Sequence, residues 1–151
     1  MARTEEKILP TDTGTSLHDR LAELGGDVLH DVLADYLEGK ITAEEQDHAL
    51  ATSCKTLSRE DGKLDFTKTA EELERLIRAY TPWPGTWMEW EGKRVKIQKV
   101  QIGPEVENQI PERIFMHEHK ALLSCAGTTT LELLRVLPEG KKEMNGNDYV
   151  K

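Results

Sequence analysis

This chain of 151 residues is 37% hydrophobic and 32% charged, carries a formal net charge of −8 and has two cysteines. Its length suits one domain or a small domain with an appendage. It has no apolar run near the ~18 residues of a membrane span, no apolar core of a signal peptide after Met1 and no disulfide framework, so a reduced, cytoplasmic protein is expected. The acidity argues against an indiscriminate nucleic-acid binder but is unevenly spread. Residues 1–80 carry 18 acids and 10 bases, whereas residues 81–151 carry 10 of each, leaving the second half with bases to spare locally.

Ile8-Leu9-Pro10 is a short apolar piece that reads as a strand end, and Thr11-Asp12-Thr13-Gly14 is turn chemistry. Ser16 then opens a helix whose apolar positions Leu17, Leu21, Leu24, Val28, Val32 and Leu37 form one stripe, ended by Gly39. Gly25-Gly26 inside it costs about 1 kcal/mol per glycine against alanine, which predicts a closely packed neighbour there. The stripe has no obvious partner in the next forty residues. From Gly39 to Lys55 the chain is polar and reads as a linker. Thr42-x-x-Glu45 predicts one short helix in it, from Ala43 to about Leu50.

Asp61-Gly62 reads as a tight turn before a short strand in which Leu64 and Phe66 alternate with charge. Thr69-x-x-Glu72 is a second capping box, opening a helix with Ala70, Leu73, Ile77 and Tyr80 on one face. Glu71→Arg75 and Glu74→Arg78 are i,i+4 pairs along it. Pro82 stops that helix, because proline fixes φ and lacks an amide donor. All three tryptophans, Trp83, Trp87 and Trp90, follow within eight residues. Packing is the ordinary use of such a cluster; base stacking is the alternative, since indoles stack on bases.

Beyond this hinge the chain is strand and turn. Glu91-Gly92 predicts a hairpin between Thr86–Trp90 and Lys93–Ile102. Val95 and Ile97 share one parity and Val100 and Ile102 the other, which requires a bulge near Gln98-Lys99. Arg113–His117, Leu122–Cys125 and Thr130–Leu137 are three more strands, the last too apolar on both faces for an exposed edge. Asn145 caps a final turn through Val150. About five strands with a bulge suit an α+β fold built on a small OB-like antiparallel β-barrel preceded by helices.

Arg78-Ala79-Tyr80-Thr81-Pro82-Trp83-Pro84-Gly85-Thr86-Trp87, together with Leu57–Phe66 and Pro138–Met144, resembles the C-terminal domain of the methionyl-tRNA formyltransferase family. Thr11-Asp12-Thr13…Ser16–Gly25 is similar to the last helix of that family's Rossmann-like catalytic domain. The resemblance implies three parts: residues 1–38 from the catalytic domain, a linker at 39–56 and an OB-like tRNA-binding domain at 57–151. It places formyl transfer, with 10-formyltetrahydrofolate as substrate and initiator methionyl-tRNA as partner, on an Asn, a His and an Asp that are not found here. No catalytic residue and no bound cofactor are therefore assigned to this chain, and neither DNA nor membrane is expected as a partner. The sequence departs from the family at Pro111-Glu112-Arg113 and at Lys120-Ala121, a predicted hairpin turn, both of which lack an expected glycine. Cys125-Ala126-Gly127-Thr128 replaces a Gly-Asp-Gly turn. A stand-alone RNA-binding or interaction module, and a piece of a nucleotide-sugar formyltransferase, are the alternatives.

The candidate tRNA-binding residues are Lys93, Arg94, Lys96, Lys99, Lys141 and Lys142. Arg94 and Lys96 alternate with Val95 and Ile97 and so face outward, where an OB-like sheet can track a nucleic-acid backbone; the ordinary reading of such a face is a solvated surface. His117-Glu118-His119, read as strand, puts two imidazoles on one face without a third metal ligand. Cys54 and Cys125 read as small buried hydrophobes.

Overall fold

The computed structural model describes residues 2–151. They divide into two units, one ending at Thr56 and one spanning Leu57–Lys151.

In the first unit, helix α1 runs from Gly14 to Leu37. Thr13 caps it and Ser16 completes a reciprocal capping box, each side chain taking the other's backbone amide. Gly39, with φ +75°, ends it. Ile8–Pro10 forms no strand. Instead the Leu9 amide donates to Asp12 (2.7 Å), and Arg20 grips the same carboxylate with two guanidinium nitrogens. The guanidinium, helped by the Leu9 amide, holds the Asp12 carboxyl well below the usual carboxylate range. No residue of α1 is buried, and Leu21, Leu29, Leu33, Tyr36 and Leu37 are exposed. The neighbour expected at Gly25-Gly26 is absent: a Cβ at either would meet nothing within 4 Å. The helix expected from Ala43 is also absent, since too few apolar residues there give it a face to bury. Only a single 3-10 turn, His48–Leu50, forms, capped by Asp47.

The second unit is a small antiparallel five-stranded sheet with few helices, as expected. Its strands are β1 (Thr86–Trp90), β2 (Lys93–Ile102), β3 (Ile114–His117), β4 (Lys120–Ser124) and β5 (Thr130–Pro138). They lie in the order β1-β2-β5-β4-β3, every pair antiparallel. The outer strands β1 and β3 share no ladder among the described residues. Helix α2 (Ala70–Ala79) packs Ala70, Leu73 and Ile77 into a core with Met88, Val95, Ile97, Leu123, Leu131, Leu133 and Val136. Thr69 and Glu72 form its predicted capping box, and Arg78 donates to Glu74 at 2.6 Å.

β5 is the central strand, in keeping with its apolar character on both faces. The register slips between Ile97, Lys99 and Val100 as the change of parity required. The last helix, α3 (Gly146–Tyr149), is capped by Asn145 and pressed onto β5. A Cβ at Gly146 would sit 2.2 Å from the Leu133 carbonyl oxygen.

Two turns differ from expectation. The β3–β4 hairpin turns at Glu118-His119, with φ of 46° and 64°, and not at Lys120-Ala121. His119 thus lies outside the strand, and the pair of same-face imidazoles does not form. Glu112, where a glycine was expected, has φ +67°. All three are L-residues in the left-handed region, which costs about 1–2 kcal/mol each.

Asp61-Gly62 closes a 3-10 turn (Arg59–Gly62) that does not lead into a strand. Lys63 makes a single parallel bridge to Trp87, and the Leu64 amide donates to the Trp87 carbonyl. Leu64 and Phe66 still alternate inward, at 4% and 8% exposure. Gly62 is needed for space: a Cβ there would stand 2.0 Å from the Gly85 carbonyl oxygen.

Candidate nucleic-acid interface

The pairing of β1 with β2 decides which side chains share a surface. Trp87 lies opposite Lys96 and Glu89 opposite Arg94, so these four project from one face. Met88 and Val95 pair on the other face, in the core. Lys93 lies opposite Trp90, on the core parity of Val95. It is exposed at the strand end, but alternation does not place it beside Arg94 and Lys96. The bulge returns Lys99 to the outer face, opposite Arg135 of β5.

Three of the six candidate cations come together. Arg94, Lys96 and Lys141 line a shallow cavity of about 230 Å³, completed by Leu137, Pro138, Glu139 and Gly140. The turn from Pro138 brings Lys141 back over β2: the Lys141 amide donates to the Pro138 carbonyl and the Glu139 amide to that of Arg94. Lys142 is exposed outside this lining.

Arg94 is held in place. Its guanidinium carbon stands 3.7 Å from the centroid of the Trp87 ring, and one terminal nitrogen lies 3.6 Å from Glu60 Oε1. The indole is itself fixed, because its Nε1–H donates to the Arg59 carbonyl at 3.0 Å. Lys63 stands over the same ring at 5.4 Å. Trp87, at 5% exposure, is thus a floor beneath two cations and cannot be touched by a ligand. A stacked guanidinium keeps its in-plane N–H groups free to aim at an anion, as a flexible ammonium cannot. Glu139 and Glu60 temper the positive charge of the cavity.

A second cavity, of about 270 Å³, adjoins the first through Lys96 and Leu137. Its walls include Pro82, Pro84 and Gly85 from the hinge, Gln98 from the bulge and Arg135 from β5. Sequence reasoning missed Arg135, Arg59 and Lys63. Arg135 was visible as a polar break in an apolar strand, but Arg59 and Lys63 reach the face only through the fold of the preceding segment. Arg135 also pairs with Glu143 at 3.1 Å.

No group of three or more metal-ligating side chains occurs among the described residues, and no helix is long and apolar enough to cross a membrane. Cys125 is buried, and burial pushes its thiol up to about 12. Cys54, expected to be buried, is exposed because its polar segment has no core to enter.

Comparison with known proteins agrees with this architecture. A methionyl-tRNA formyltransferase from Marinobacter nauticus is 33% identical over 150 residues, covering 99% of this chain and 48% of that protein. The chain therefore spans about half the length of this curated relative. Among solved structures, a variant of HypX from Aquifex aeolicus superimposes with a TM-score of 0.65 at 13% identity, over 95% of this chain and 26% of that one. A second HypX variant gives 0.58 at 12% identity, over 82% and 22%. At such identity the likeness speaks for the fold alone. Residues 56–151 match the family described as formyl transferase, C-terminal domain, and the chain belongs to that family.

Proposed function

We propose that this chain is the C-terminal part of a cytoplasmic methionyl-tRNA formyltransferase and contributes the tRNA-backbone contact of that enzyme. Residues 1–38 would then belong to the catalytic domain, 39–56 to a linker and 57–151 to the tRNA-binding domain. Formyl transfer from 10-formyltetrahydrofolate to the amine of initiator methionyl-tRNA is assigned to residues outside this chain, which alone should form no product.

The observation that carries the reading is the convergence of Arg94, Lys96 and Lys141 on one cavity, in the half of the chain whose charges balance. Side chains from β2 and from the turn after β5 are far apart in sequence, yet present their charge at one place. Contacts of this kind position a phosphate backbone without reading bases. Binding should therefore be weak, tolerant of tRNA identity and steeply weakened by salt, because each neutralised phosphate releases counterions.

The test is a tRNA titration of the full chain at two salt concentrations, with wild type and a Lys96→Ala/Lys141→Ala variant. Both lysines are exposed, so the fold should change by less than about 0.5 kcal/mol. The variant should lose affinity and show a shallower salt slope. Unchanged affinity and slope would reject this surface.

A further inference from the structure

The three tryptophans part company in the fold. Trp87 is 5% exposed, Trp90 packs against the core, and Trp83 is 54% exposed. An indole left in water forgoes roughly 25 cal/mol for every Å² it could have buried, so an exposed Trp beside a core with room for two others calls for a use.

Trp83 is also firmly seated. It stands between Pro82 and Pro84, whose rings fix φ on both sides. The Gly85 amide donates to the Tyr80 carbonyl at 2.9 Å, and the Thr81 hydroxyl donates to the Ile77 carbonyl at 2.6 Å, which ties the turn to the end of α2. A surface ring on so constrained a turn loses little freedom when something lies on it.

One cation stands over it. The Arg59 guanidinium carbon lies over the Trp83 ring at 6.0 Å from the centroid, against 3.7 Å for Arg94 over Trp87. The second pair is a closed stack. The first is looser, at the outer limit of a cation–π contact, and leaves Trp83 54% exposed. The prolines flanking Trp83 also form the wall of the cavity that shares Lys96 with the Arg94–Lys141 cavity. An aromatic ring followed by a track of cations is the arrangement by which proteins hold a single strand, the base on the ring and the phosphates on the cations.

We propose that Trp83 and Arg59 form a stacking site for one unpaired base of an RNA whose adjoining phosphates lie on Lys96, Arg94 and Lys141. The proposal rests on the RNA-binding reading above and adds to it a contact with a base. Because every base has a π-face, the site selects single-stranded over paired nucleotides and tolerates base identity. Arg59 contributes its plane as well as its charge, so lysine is a poor substitute.

The experiment uses the full chain and a fluorescently labelled RNA hairpin, either blunt or carrying a single-stranded tail. Wild type should bind the tailed RNA more tightly than the blunt one. Trp83→Ala should lower affinity for the tailed RNA about tenfold, leaving its affinity for the blunt RNA and its salt slope unchanged. Trp83→Phe should keep most of the preference, and Arg59→Lys should lose part of it. Lys96→Ala/Lys141→Ala should weaken both RNAs and flatten the slope. If wild type shows salt-dependent binding but Trp83→Ala matches it on the tailed RNA, or loses both RNAs equally, the stacking site is overturned and the backbone reading stands. If wild type binds neither RNA at low salt, both fall together.

Discussion

Trp87 should matter to RNA binding although no RNA can reach it, and replacing it with phenylalanine exposes the reason. The change removes the indole N–H that the Arg59 carbonyl accepts, a loss of about 1 kcal/mol. It narrows the ring beneath Arg94, whose cation–π contribution at a half-exposed site is about 0.5–1 kcal/mol. It also leaves a partial void at a position only 5% exposed, worth a further 1–2 kcal/mol or so. Together these come to about 3 kcal/mol. All three tryptophans lie in Leu57–Lys151, so tryptophan emission during urea unfolding reports that unit. With a slope of about 1.5 kcal/mol/M, the midpoint should fall by roughly 2 M. Trp83→Phe, at an exposed site, should cost less than about 0.5 kcal/mol and so move the midpoint by less than about 0.3 M. Below the new transition, Trp87→Phe should still bind tRNA less tightly than wild type, because Arg94 has lost part of its platform. A midpoint shift no larger than that of Trp83→Phe would refute the claim that Trp87 anchors this face.

Other outcomes follow from single contacts. Gly146→Ala should push α3 off β5 and strand the buried Ala121 amide, which now donates to Asn147 Oδ1 at 2.6 Å; the overpacking and the lost bond should cost about 2–5 kcal/mol in urea unfolding. Glu112→Gly and His119→Gly each relieve a left-handed φ, and after the extra chain entropy of glycine each should stabilise by about 0.5–1 kcal/mol in the same assay. A thiol reagent at pH 8 should modify Cys54 in the native protein and Cys125 only in denaturant, because Cys125 is buried and its thiol stays protonated up to about 12.

The sheet was legible because its signals are local and repeat along the chain. The parity change between Ile97 and Val100 can be resolved only by a bulge, and Glu91-Gly92 admits few other readings; both are where the sequence placed them. The failures lie where local chemistry is ambiguous. Thr42-x-x-Glu45 carries the cap of a helix without the apolar face to hold one. The β3–β4 turn is built from Glu118-His119, residues with no turn signature, so nothing marked its position. Alternation picked out Arg94 and Lys96, whereas Lys93 was included only for its nearness in sequence and falls on the core parity. Arg59 and Lys63 lay beyond that logic, because they reach the face only through the approach of Gly62 to Gly85.

The central place of β5 also sets an order in time. A chain leaving the ribosome emerges amino end first, so the β1–β2 and β3–β4 hairpins are complete while the seat between them is still empty. Until Thr130–Pro138 is free, β2 and β4 each present an unpaired edge, the surface on which nascent chains pair wrongly with one another. Val95 must wait for Pro138, and Leu123 for Leu131. The cation cavity is finished later still, because its rim is the turn that follows β5. A chain released before Thr130 would carry Arg94 and Lys96 yet lack the cavity they line, so that cavity is gained only after β5 and the turn behind it have been made.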